Sequence, residues 1–167
     1  YDSHPSIIVE NKVDYAKKLA APMSGLRFEM FGGASGVLRI APTVGNIGLS
    51  IVTYGALARQ IYDEYELIFS DIDLRVELLV PIQLSPVPSD LLKNALSSKR
   101  VVIAEEAASE FGWGSEIIAQ LVSEGDDLEF MRLGARGTVA IPAERELEKQ
   151  ILPSVSRLLD ICAGAPE

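Results

Sequence analysis

Four short apolar runs, Leu49–Tyr54, Leu74–Val80, Val101–Ala104 and Leu128–Leu133, alternate with segments whose apolar residues fall at helical spacing. Between the first two runs, Leu57, Ile61, Tyr65 and Ile68 recur at intervals of four, four and three, which places them on one face of a helix. Between the second and third, the Ser85-Pro-Val-Pro-Ser-Asp90 break precedes a short helix carrying Leu91, Leu92, Ala95 and Leu96. Asp90 falls in its first turn, where a negative charge suits the helix dipole. Between the third and fourth, a helix from Ser115 to Glu124 carries Ile117, Ile118, Leu121 and Val122 and stops at Gly125, a good terminating residue. Strands separated by helices run parallel, because the helix carries the chain back across the sheet before the next strand starts. The expected fold class is α/β, a three-layer α/β/α arrangement around a mostly parallel sheet. A further helix is expected from Glu144 to Ile151, and beyond Pro153 a last one that buries Val155, Leu158, Leu159 and Cys162.

The pattern changes upstream of residue 47. Ser6 to Glu10 reads as a short strand and Lys12 to Leu19 as a polar connector. Pro22 to Pro42 is punctuated by Gly25, Gly32, Gly33 and Gly36, which suits loops and a hairpin built from Arg27–Phe31 and Val37–Ile40. The expected division is therefore 1–47, the close of a preceding unit with its connector, and 48–167, the α/β domain. The chain opens on Tyr1 rather than Met, as a processed chain or a piece of a longer one would.

Charge and cysteine content narrow the function classes. A formal net charge of −9 with no basic stripe argues against nucleic acid as a partner and suits a basic protein partner. The single cysteine, Cys162, excludes an internal disulfide and a multi-cysteine metal site, and is compatible with a reducing, cytoplasmic compartment. The single histidine, His4, lies in a polar N-terminal stretch and reads as a surface imidazole. No apolar run approaches the ~20 residues needed to span a bilayer, so no membrane role is expected.

Functional groups in open α/β sheets collect where strands end and helices begin. Here the third apolar run meets Glu105 and Glu106, and Phe111-Gly-Trp-Gly-Ser115 then leads into a helix. Adjacent carboxylates on an extended segment point to opposite faces, so they do not form an acid/base dyad. The glycines allow two readings. In one, backbone N–H groups and Ser115 as N-cap cradle an anion; in the other, the glycines permit a tight turn packed around Trp113. Glu105, Glu106, Glu110 and Glu116 would repel a phosphate, which favours the second. Trp113 can anchor an interface or be buried in its own domain. No catalytic, cofactor-binding or metal residue is assigned. The candidate interface or loop residues are Glu105, Glu106, Phe111, Gly112, Trp113, Gly114 and Glu116.

Taken in order, several segments resemble the C-terminal domain of transketolase-like thiamine-diphosphate enzymes, with the nearer likeness to the β subunit of 2-oxo-acid dehydrogenase (E1) components. Pro5-Ser-Ile-Ile-Val-Glu-Asn-Lys12 is similar to the strand that closes the preceding pyrimidine-binding domain, and Leu49-Ser-Ile-Val-Thr-Tyr-Gly55 to the first strand and turn of the C-terminal domain. Leu84-Ser-Pro86 resembles a strand-end turn. Arg100-Val-Val-Ile-Ala-Glu-Glu106 with Phe111-Gly-Trp-Gly-Ser-Glu116 resembles the third strand and its loop, and Ile141-Pro142 with Glu146–Pro153 the closing segment. The chain departs from the pattern where Leu79-Val-Pro-Ile-Gln83 replaces an aspartate-leucine-arginine turn late in the second strand. The resemblance implies an assembly domain, non-catalytic alone, whose parent enzyme uses thiamine diphosphate and magnesium held elsewhere. It also implies a homodimer, an E1 α subunit or domain, and an acyltransferase (E2) as partners. A transketolase or related synthase as parent, and a small-ligand or anion-binding α/β module, are the alternatives.

Overall fold

The computed structural model describes residues 5, 7, 8, 22–122, 127–135 and 142–163, the side chains of 69–72 and 145 excepted. In chain order the elements are β1 (Leu26–Phe31), β2 (Val37–Pro42), β3 (Leu49–Val52), α1 (Gly55–Asp63), α2 (Tyr65–Ile72) and β4 (Val76–Pro81). There follow α3 (Ser89–Ala95), β5 (Arg100–Ala108), α4 (Trp113–Val122), β6 (Glu129–Ala135), α5 (Arg145–Ile151) and α6 (Val155–Cys162). The strands form one sheet in the order β1-β2-β4-β3-β5-β6. Neighbours from β4 through β3 and β5 to β6 pair in parallel, while β2 runs antiparallel to both β1 and β4.

Alternation along the strands divides the core in two, as a sheet covered on both faces requires. Leu49 and Ile51 of β3 and Val102 and Ala104 of β5 face α1, α2 and α6, meeting Leu57, Ile61, Tyr65, Ile68 and Leu158. Val52, Leu79, Val101 and Ile103 face the other way, onto Leu92 and Ala95 of α3 and Ile117 and Leu121 of α4. This is the expected α/β/α layering.

The elements differ from the sequence expectations in instructive places. The face set by Leu57, Ile61, Tyr65 and Ile68 is buried throughout, but it belongs to two helices separated by a turn at Glu64. The hairpin forms, and β2 joins β4, so the sheet extends upstream of the boundary at residue 47. The third strand continues through both glutamates to Ala108, with an irregular register against β6 between Ala104 and Ala108. Glu144 caps α5 by accepting from the amides of Glu146 and Leu147, which holds its carboxyl below the usual glutamate range. Pro153 precedes the α6 N-cap, Ser154, whose hydroxyl accepts from the Arg157 amide. The expected strand at Ser6–Glu10 and the helix end at Gly125 lie outside the described residues.

Buried charge sits at the N-terminal ends of the parallel strands. Glu77 of β4 is fully buried; its Oε2 accepts from Arg39 Nε at 2.6 Å, and its Oε1 from Ser50 Oγ and the Ser97 amide, each at 2.6 Å. Arg39 also donates to Glu29 and to Ser97 Oγ. Burial disfavours its charge, yet the Glu77 and Glu29 carboxylates outweigh that and raise its pKa above the ordinary guanidinium value. One network thus ties the hairpin, the central strands and the loop before β5 together.

Candidate functional site at the junction of β5 and α4

Glu105 continues the Val101–Ile103 face of β5 and so points under α4. It is 2% exposed, and its Oε1 accepts from the Gly114 amide at 3.0 Å and from Arg132 Nη2 at 2.8 Å. Arg132 reaches this position because it pairs with Ile103 across the β5–β6 ladder and therefore shares its face. Its Nη1 donates to Ser115 Oγ at 2.8 Å. A carboxylate carried by a neighbouring strand thus takes a free amide at the start of α4, and an arginine balances its charge. Ser115, expected as N-cap, instead lies within the helix, because Glu105 takes the first-turn amide in its place.

The glycines follow from this contact. A Cβ on Gly114 would lie 2.8 Å from both Glu105 Oε1 and Ile103 Cγ2, and one on Gly112 would lie 2.6 Å from the Ala108 carbonyl oxygen and from Glu105 Oε1. Trp113 is half-buried; its indole N–H donates to the Leu84 carbonyl at 3.1 Å, and its ring meets Tyr54 edge to face at 4.9 Å. Burial, and then the charges of Glu105 and Glu106, raise the Tyr54 pKa above the ordinary phenol value. Glu106 lies on the opposite face of the strand from Glu105 and is exposed, as is Glu116.

Phe111 is the exception to this packing. It is wholly exposed at 102% and holds a left-handed φ of 57°, a region that a bulky side chain seldom takes. Ile82, just past β4, is 52% exposed at the same end of the sheet. The seven candidate residues therefore form one junction in which Glu105, Gly112, Gly114 and Trp113 set the shape. Phe111, Glu106 and Glu116 face outward. Sequence reasoning missed Tyr54, Leu84 and Arg132. Only Arg132 left a signal: a cation inside the apolar run Leu128–Leu133, which calls for a buried carboxylate.

The arrangement does not suit an anionic ligand. The Gly114 amide already holds Glu105, and Glu106, Glu110 and Glu116 are exposed beside it. Among the described residues no group of three or more His, Cys, Asp or Glu side chains can hold a metal ion. Clefts of about 340 and 320 Å³ lie elsewhere, one lined by Lys93, Ser97, Lys99 and Asp127, the other by Met23, Leu26, Tyr65 and Arg75. Two buried side-chain oxygens, Glu105 Oε2 and Thr53 Oγ1, have no partner among the described residues. No helix of the described residues is long and apolar enough to cross a membrane.

Comparison with known proteins identifies relatives. The sequence profile described as transketolase, C-terminal domain, matches residues 45–158. No curated protein sequence matches the chain significantly. Among solved structures, the chain is similar to a split-gene transketolase described as an inactive β4 tetramer, at 18% identity and a TM-score of 0.58 over 72% of this chain and 39% of that one. It is also similar to the 2-oxoglutarate:ferredoxin oxidoreductase from Magnetococcus marinus, at 14% identity and a TM-score of 0.46 over 74% of this chain and 19% of that one. The chain thus spans less than half of either relative, and the likeness to the first is one of fold.

Proposed function

The chain belongs to the transketolase C-terminal domain family, and on that premise we propose that it is the assembly domain of a thiamine-diphosphate-dependent 2-oxo-acid dehydrogenase, at the β-type position of the E1 component. The thiamine diphosphate and its magnesium ion are bound by other parts of that enzyme. The β5–α4 junction does not fit the cofactor, because a carboxylate already takes the Gly114 amide and further carboxylates surround it. This domain supplies surfaces: one for a second β-type chain, and one for the E1 α subunit or the acyltransferase. The single cysteine is compatible with a cytoplasmic setting for that enzyme.

The observation that carries this reading is Phe111. A fully exposed aromatic side chain, in a strained backbone conformation, above a loop locked by Glu105, Arg132 and Trp113, is built for contact outside the domain. The exposed carboxylates beside it favour a basic partner and speed its encounter. In such a contact, burial of Phe111 in an apolar pocket provides affinity while Glu106 and Glu116 set approach and orientation.

The test is binding of the parent enzyme's E1 α subunit and of the acyltransferase's subunit-binding domain, each titrated by calorimetry against the chain and its variants. Phe111→Ala should weaken one of these contacts by about 30-fold, the level of an interface hot spot. Unchanged affinity for both would reject the junction as a docking surface. Binding of neither the E1 α subunit nor the acyltransferase would move the parent toward a transketolase or related synthase. Turnover of a 2-oxo acid by the purified chain alone would reject the assembly role.

A further inference from the structure

The proposed function calls for a second surface, one that meets another copy of this chain. β1 is the last strand of the sheet, and among the described residues no strand pairs with its outer edge. Unpaired edges are ordinarily blunted by proline, a bulge, a short length or charged side chains. β1 has no proline and no bulge: it is six residues long, every residue is in register with β2, and its charges are one of each sign, Arg27 and Glu29. Phe28 and Met30 lie 38% and 51% exposed on one face, and Arg27 and Glu29 occupy the other.

The order of those side chains makes the strand complementary to itself. In an antiparallel pair, opposed residues share a face, so a twofold self-pairing must centre on a single residue. Centred on Phe28, it places Arg27 opposite Glu29 of the second copy, Leu26 opposite its Met30, and the two Phe28 rings together. Centred on Arg27, it opposes two arginines; centred on Glu29, two glutamates. Only the Phe28 register pairs opposite charges, and like charges directly opposed are destabilising. Within one copy Glu29 accepts from Arg39 behind it and lies 3.4 Å from Arg27 Nε, so in the pair each Arg27 would gain a second carboxylate opposite it, while Phe28 is braced edge to face on Tyr62 at 5.8 Å.

We propose that β1 is a homodimer edge, pairing antiparallel with β1 of a second copy about a twofold axis through Phe28, so that the two six-stranded sheets become one. The surface lies on the β1 side of the sheet, separate from the Phe111 loop, and it rests on the homodimer part of the proposed function. A single strand pair is small compared with the ~800 Å² per partner of a standard interface, so the isolated chain dimerises weakly.

Cysteine cross-linking reads the register directly. In the proposed pair the two residues 28 lie about 4.5–5.5 Å apart at Cα, within disulfide span, whereas the two residues 27 are offset by two positions along the strand and exceed it. The one native thiol, Cys162, is buried. Mild oxidation of Phe28→Cys should give a covalent dimer at least tenfold faster than Arg27→Cys. In sedimentation equilibrium the unmodified chain should self-associate, and Arg27→Glu should weaken that association by about tenfold or more. Should Phe28→Cys misfold, hydrogen exchange on the unmodified chain is decisive: β1 amides slow as concentration rises and β3 amides do not. Equal cross-linking at both positions, or association untouched by Arg27→Glu, would overturn the β1 edge while leaving the homodimer reading intact. A chain that stays monomeric, with exchange at β1 independent of concentration, would overturn both.

Discussion

Two buried carboxylates, one at each end of the parallel strands, are paired with arginine in contrasting ways. Glu77, at the N-terminal end, is 0% exposed and has both oxygens engaged, by Arg39, Ser50 and Ser97. Its arginine is itself 6% exposed. Glu105, at the C-terminal end, engages only Oε1 among the described residues, and its partner Arg132 has a side chain 26% exposed. The first pair is sealed within the sheet and ties its elements together. The second sits just beneath the surface and fixes a loop whose outward residues are Phe111 and three glutamates. One end of the domain is closed by its own polar network; the other has its shape held rigid for use.

This contrast is sharpest under substitution of the two carboxylates. Glu77→Ala leaves Arg39 buried with Glu29 as its remaining carboxylate, and breaking a buried pair of this kind costs about 3–5 kcal/mol. Urea denaturation should show that loss, or the variant should fail to fold. Glu105→Ala removes two charge-assisted hydrogen bonds but leaves a partly hydrated arginine, so a loss of about 1.5–3 kcal/mol is expected, together with faster hydrogen exchange at the Gly114 amide. Equal losses at the two sites would erase the distinction drawn between them.

Changes in the loop itself should be smaller. Gly114→Ala forces a Cβ within 2.8 Å of Glu105 Oε1 and Ile103 Cγ2, and overpacking of this order costs about 1–3 kcal/mol by thermal denaturation. Phe111→Gly runs the other way. No buried area is lost and a left-handed backbone is relieved, so stability should hold or rise by about 1 kcal/mol. A clear fall in melting temperature for Phe111→Gly would mean that the ring supports its own domain. The least effect belongs to the Glu144 cap of α5. Its folded pKa is depressed, so its contribution is present above the unfolded glutamate pKa and is lost as pH falls through the folded value. Amide exchange at Glu146 and Leu147 should quicken over that acid range, and Glu144→Gln should remove most of the pH dependence.

The architecture was legible because it depends on period. Leu57, Ile61, Tyr65 and Ile68 announce a buried helical face whether one helix or two carry it, and the break at Glu64 leaves that spacing intact. The junction was legible in outline, since Glu105 and Glu106 had to part to opposite faces once the chain was extended. Its locking partners were less so. Tyr54 and the Leu84 carbonyl come from other strand ends, and nothing local marks a backbone oxygen as the acceptor for an indole 29 residues away. Arg39, Glu77 and Arg132 are charges with an apolar residue on either side. Each implies a partner, but only the strand order and register say which one. The edge position of β1 was likewise hidden, because local alternation does not reveal which strand ends a sheet.

The chain has one tryptophan, and it stands in the loop on which the proposed function rests. The direct test is a fluorine NMR titration of the chain carrying 5-fluorotryptophan, in which Trp113 alone gives the resonance. If the junction docks protein and takes no cofactor, this signal stays in place with thiamine diphosphate and magnesium, inorganic phosphate or 2-oxo acids, and shifts saturably with the E1 α subunit or the acyltransferase's subunit-binding domain. A saturable shift with any of the small molecules, and none with either protein, would contradict it.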